Sequence, residues 1–209
     1  MKTRYLLIAL LCALTLGCQK APKTEDEAFG DFAKSVLAAG KAKDSGTFIN
    51  KLSMASVADL NALVEVLKKA NLQISLNENE EKPTDAEIRK EAEANVRLFM
   101  DSYADVFEAD GMLSCVVTAQ DTEIKGANVY SMIIWAKHKD GKFRGIKIDS
   151  AWKRDDGTIK VITWTQLDGY AASKHASKKK AILECDTVEA CDYPNMITYE
   201  YVFSKYDMN

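Results

Sequence analysis

Histidine is almost missing from this chain, with two in 209 residues, and cysteine is scarce, with five. Zinc centres draw mainly on these two residue types, so little is left to build one. Positive charge is not in excess: 28 lysines and arginines face 31 aspartates and glutamates, a formal net charge of −3. Nucleic acid and anionic surfaces need a basic face, and this balance disfavours both as partners. No apolar run reaches the roughly 20 residues that cross a bilayer core. There is no internal repeat and no long low-complexity tract. No catalytic or cofactor motif stands out, and neither cofactor nor metal is expected.

What is present begins at the N-terminus. Lys2 and Arg4 form a short positive region, Tyr5 to Leu16 is an apolar run, and Leu14-Thr15-Leu16-Gly17-Cys18 ends in a small residue followed by cysteine. The segment resembles a bacterial lipoprotein signal, although Thr15 stands where such signals usually carry leucine. The resemblance implies cleavage before Cys18 and lipidation of Cys18 by a diacyl group and an amide-linked chain, typically palmitate. It also implies, because Gln19 rather than aspartate follows, delivery to the outer membrane, facing the periplasm. That number of acyl chains exceeds the two signals that stable anchoring requires. Loss of Met1 to Gly17 removes two positive charges and no negative one, so the remaining chain is more acidic than the whole.

Cys115, Cys185 and Cys191 then remain as thiols. In an oxidising compartment Cys185-Asp-Thr-Val-Glu-Ala-Cys191 can close a small disulfide loop. The competing metal site lacks a nearby histidine. Cys115 lies in the apolar run Met112 to Val117 and reads as a buried small hydrophobe. Asp186, Glu189 and Asp192 offer oxygen ligands for calcium, but their spacing matches no calcium loop.

The first half of the chain reads as helices. Thr24-Glu-Asp-Glu27 is a capping box, and Phe29, Phe32, Ala33, Val36 and Leu37 repeat at helical spacing up to Gly40. Gly46 to Leu52 suggests a helical turn. Ser56 caps a second helix whose Leu60, Leu63, Val64 and Leu67 form one face up to Asn71. Thr84-Asp-Ala-Glu87 is another capping box, and Ile88, Ala92, Val96, Phe99, Tyr103 and Val106 mark a long helix to about Glu108.

After Asp110-Gly111 the pattern changes to strands: Met112 to Thr118, Val129 to Lys137, Phe143 to Lys153 and Ile159 to Leu167. Asp140-Gly141 and Asp156-Gly157 suit tight hairpin turns, so the sheet should be antiparallel. Ile197 to Tyr206 alternates like an extra strand. The expected organisation is a signal peptide over 1–17, a tether over 18–24, an α+β domain over 25–169 and a C-terminal extension over 170–209 with the cysteine loop.

Strict alternation places Ile146, Ile148, Ser150 and Trp152 on one face of the third strand and Lys147, Asp149 and Lys153 on the other. The fourth strand does not choose a face. The long helix ending at Ala109-Asp-Gly111, then Ala127 to Trp135, Asp140-Gly-Lys-Phe143 and Asp155-Asp-Gly-Thr-Ile-Lys-Val161 together resemble the nuclear transport factor 2-like superfamily, with its SnoaL-like cyclases and ketosteroid isomerases. The resemblance spans about Thr84 to Gly169. It implies a curved sheet wrapped around helices as a cone with an apolar pocket.

Tyr103, Ser150, Trp152 and Trp164 are the candidates to line such a pocket. Enzymes of that superfamily use a carboxylate or histidine base in the pocket. Asp149 and Tyr103 are the candidate acid or base, but Asp149 falls on the polar face. His138 and His175 stand among lysines in turns or loops and read as solvated. The lysine-rich segment Lys174 to Lys180 can meet anionic lipid headgroups or cell-wall polymers, or form a solvated loop. The expected function is a membrane-anchored periplasmic lipoprotein that binds a small apolar ligand or an envelope protein without catalysis. The alternatives are an isomerase-like enzyme and an envelope assembly protein.

Overall fold

The computed structural model describes residues 24–70, 82–109, 111–119, 125–165, 183–187 and 197–201. The leader with Cys18 lies outside them, as do His175, Cys191, Glu189, Asp192 and the segment Lys174 to Lys180. The fold is α+β, with helices α1 (Glu25–Lys41), α2 (Val57–Lys69) and α3 (Asp85–Ser102). The strands are β1 (Leu113–Ala119), β2 (Val129–Lys137), β3 (Phe143–Lys153), β4 (Ile159–Trp164), β5 (Leu183–Cys185) and β6 (Ile197–Tyr201). They form an antiparallel sheet in the order β4-β3-β2-β1-β6, and β5 pairs with β3 on the edge that β4 also uses. No helix among the described residues is long and apolar enough to cross a membrane.

Both capping boxes form. Thr24 and Glu27 exchange side-chain and backbone hydrogen bonds at the start of α1, and Thr84 and Glu87 do the same for α3, satisfying amides that a helix start leaves unpaired. The third helix stops sooner than its apolar spacing predicts. It ends at Ser102, and Val106–Glu108 is a separate 3-10 turn, so Tyr103 and Val106 reach the core from a break in the helix. Between α1 and α2, Ser45–Thr47 is a helical turn that runs into a π-helical turn over Phe48–Leu52.

The two hairpins are alike. His138 N–H donates to the Lys142 carbonyl and Gly141 N–H to that of His138; Arg154 pairs with Thr158 and Gly157 with Arg154 in the same way. Gly141 and Gly157 have φ of 85° and 77°, the left-handed region that glycine enters without cost, while the aspartates do not. These are three-residue loops, not the two-residue turns that an Asp-Gly pair suggests. In each, the aspartate side chain also accepts from the backbone N–H two residues on.

The main core lies between the sheet and α1, the π turn and α3. It joins Phe29, Val36, Phe48 and Phe99 to inward residues of all of β1 to β4. The opposite face of the sheet is also covered. Trp135 packs there with Val116, Ile133 and Phe143, and Trp152 packs with Val129, Ala127 and Leu63 of α2. β2 is therefore buried on both sides, which explains its continuous apolar sequence.

The alternation predicted for β3 breaks in the middle of the strand. Pairing with β2 slips between Tyr130 and Met132, and pairing with β4 slips on both sides of Ser150. Such a bulge changes the parity of every later side chain. Ala151 joins Ile146 and Ile148 on the helix-facing side, and Trp152 turns to the other. β4 slips in step, so Val161 and Trp164, three residues apart, both face the core.

Candidate functional site

The space between α3 and the sheet is filled. Phe99 packs on Trp164 with ring centroids 4.3 Å apart, Phe48 on Trp164 at 5.3 Å, and Phe48 on Phe107 at 6.1 Å, all in edge-to-face or tilted contacts.

The four residues predicted to line a pocket do not come together. Tyr103 and Trp164 are buried in the main core, Trp152 lies on the opposite sheet face, and Ser150 is half-buried at the bulge. The Tyr103 hydroxyl accepts a hydrogen bond from Lys147 N–H at 3.2 Å. It does so in a gap: β5 covers Phe143 to Gly145 of β3, β4 covers Ile148 to Lys153, and between them Lys147 has no strand neighbour on that edge among the described residues. Burial pushes this hydroxyl up to about 12, the Lys147 hydrogen bond opposes the rise and the Asp149 charge adds to it. A tyrosine held neutral and hydrogen-bonded inside a core is a structural group.

Asp149 is half-exposed and pairs with Lys147 at 2.9 Å. His138 is buried at the β2–β3 turn, not solvated as its lysine neighbours suggest, because the turn folds it inward and leaves Lys139 and Lys142 outside. Cys115 is fully buried, and burial pushes its thiol up to about 12. Cys185 is disulfide-bonded, its partner lying outside the described residues. Beside it, Glu184 ties β5 to β3 through Lys142 at 2.7 Å and Arg144 at 3.1 Å. Asp186 is exposed, and no group of three or more histidine, cysteine or acidic side chains that could hold a metal occurs among the described residues.

Among the described residues two grooves lie one on each side of α3. The larger, about 660 Å³, runs between α3 and the end of α1. Ile49, Met100 and Phe107 form its apolar floor, and Lys43, Glu93, Arg97, Asp101, Asp105 and Glu108 form a charged rim. Gly40 is needed there, since a Cβ at this position would lie 2.1 Å from the Phe107 ring.

The smaller groove, about 280 Å³, lies between α3, the start of α2 and β4. Its walls are mostly apolar: Met54, Leu60, Ile88, Ala92, Val161 and Trp164. Of the face predicted for α2, Leu63 is buried and Leu67 packs beside it, whereas Leu60 remains 37% exposed at the groove. Ser53, at the end of the π turn, forms a single parallel bridge with Val161, and Met54 N–H donates to the Val161 carbonyl at 3.1 Å. Asp59 fixes the bend that follows: it accepts from the Ser56 hydroxyl at 3.1 Å and lies 3.6 Å from Arg154 and 3.8 Å from Lys160. Neither groove was visible in the sequence, since both depend on which residues the π turn and the bend bring beside α3.

Comparison with protein-family models, with curated proteins and with solved structures finds no match for this chain.

Proposed function

We propose that this chain is a lipid-anchored envelope protein whose folded part binds another protein through its α3 surface and catalyses no reaction. The observation that carries this reading is the filled interior: Phe48, Phe99, Phe107 and Trp164 occupy the volume that a ligand-binding or catalytic cone needs open. Small-ligand pockets are concave and mostly apolar with a few polar groups. The larger groove instead has six charged side chains around a small apolar floor, the pattern of a polar rim about an interface core.

An isomerase-like activity loses its candidates, because the Tyr103 hydroxyl is buried and engaged and Asp149 is paired away from either groove. Helices α1 and α3 packed on one face of an antiparallel meander with a bulged third strand support a nuclear transport factor 2-like architecture, with the cone filled, while α2 covers part of the other face. The anchor and the periplasmic address rest on Lys2, Arg4, the Tyr5 to Leu16 run and Cys18.

In-cell crosslinking followed by purification from membranes tests the reading. The wild-type chain should capture a defined envelope protein, and native mass spectrometry of the folded part should show no retained small molecule. A bound apolar ligand, or no captured protein, overturns it.

A further inference from the structure

We propose that the smaller groove receives an extended segment of the partner protein, laid along the open edge of β4, with apolar side chains against Ile88, Ala92 and Trp164 and a basic side chain against Glu91. The proposal deepens the protein-binding reading above and rests on it. β4 is the outer strand of the sheet, and among the described residues its free edge is met only at Val161, by Ser53. That single bridge is parallel, and after it the chain bends away into α2, so that among the described residues no strand pairs with the edge towards Trp164. Exposed sheet edges pair readily with added strands, where main-chain bonds give affinity and alternate side chains give specificity.

Beside this edge the groove supplies a place for those side chains. Its 280 Å³ falls just under the usual range of small-molecule sites, about 300–1,000 Å³, and suits two or three apolar side chains. Its charged lining is wholly acidic, consisting of Glu87 and Glu91. Glu87 is committed to Thr84 in the capping box. The Glu91 carboxylate is exposed and has no ion-pair partner among the described residues. The rim therefore selects a lysine or arginine on the same face of the incoming strand as its apolar anchors, two residues away.

Random heptapeptides displayed on phage and panned against the lipidated full chain in detergent test this directly. Enriched peptides should carry a basic residue two positions from an apolar one. Ala92→Trp, which fills the groove, and Glu91→Lys, which reverses the rim, should each weaken their binding by about tenfold or more. Thermal unfolding checks that both variants fold, and the exposed Glu91→Lys keeps the test open if Ala92→Trp does not. Failure to enrich any peptide, or equal binding by wild type and Glu91→Lys, overturns the proposal.

Crosslinking of the same variants separates the two readings. If both variants capture the wild-type partner undiminished, the groove assignment fails and protein binding stands; if wild type captures nothing, both fail. A concentration-dependent dimer that Ala92→Trp abolishes makes the occupant a second copy of the chain and also overturns the proposal.

Discussion

The indole N–H of Trp164 donates to the Ser53 hydroxyl at 2.8 Å, and that hydroxyl donates to the Phe48 carbonyl at 2.8 Å. The chain of bonds is buried and links β4 to the π turn across more than a hundred residues of sequence. Ser53→Ala leaves the buried indole N–H without a partner, at a cost of about 1–3 kcal/mol, while the Phe48 carbonyl keeps its bond from the backbone N–H of residue 53 at 2.8 Å. Urea unfolding should show a loss of that order, and Trp164→Phe in the Ser53→Ala background should recover part of it. Additive losses in the double variant would show the bond to be unimportant.

Alkaline pH should weaken the fold through two groups. The Cys115 thiol and the Tyr103 hydroxyl are both pushed up to about 12 in the folded chain, from ordinary values of 9.0 and 10.0. Between the unfolded and folded values the native state holds a proton that the unfolded state releases, so the contribution of these two groups is constant below pH 9 and falls as pH rises above it. Each group contributes a slope of about 1.4 kcal/mol per pH unit within its window. Cys115→Ala should move the onset of the fall from about pH 9 to about pH 10, measured by urea midpoints across the series. An onset unmoved by Cys115→Ala contradicts the assignment.

Gly40→Ala drives a methyl group into the Phe107 ring. Overpacking of this kind costs about 1–3 kcal/mol. A smaller side chain at 107, as in Phe107→Leu, should cost less in the Gly40→Ala background than in wild type. Double-mutant unfolding measurements give the coupling, and strict additivity would mean that the two residues do not touch.

The two tryptophans Trp152 and Trp164 should report on different helices. Trp152 is buried with Leu63 of α2 on the outer face of the sheet, and Trp164 with Phe48 and Phe99 on the inner face. Trp152→Ala should lose hydrogen-exchange protection over Val57–Lys69 and spare Glu25–Lys41; Trp164→Ala should destabilise the whole fold by about 3–5 kcal/mol. Equal protection changes over both helices in Trp152→Ala would place the two residues in one core.

The helices and the three longest strands were legible because each carries a local signal: the capping boxes at Thr24 and Thr84, the serine cap at Ser56, the spacing of Phe29, Phe32 and Val36, the Asp-Gly turns. What failed depends on neighbours distant in sequence. Trp152 was assigned the wrong face because a bulge in the pairing of β3 with β2 and β4 reverses alternation, and nothing local in Asp149-Ser150-Ala151 signals it. β5 was missed because three residues are too few to show a period, and it is held by Glu184 reaching Lys142 and Arg144 forty residues away. The grooves were missed for the same reason, and the buried His138 because its lysine neighbours describe the turn and not the ring.

β4 and β5 run in the same direction along one edge of β3, the first ending opposite Ile148 and the second beginning opposite Gly145. Two residues of β3, Ile146 and Lys147, lie between those positions, three steps or about 10 Å of extended chain. One continuous strand thus sets the register of two partners at once, so an insertion or deletion in β3 between Gly145 and Ile148 would shift β4 and β5 relative to each other.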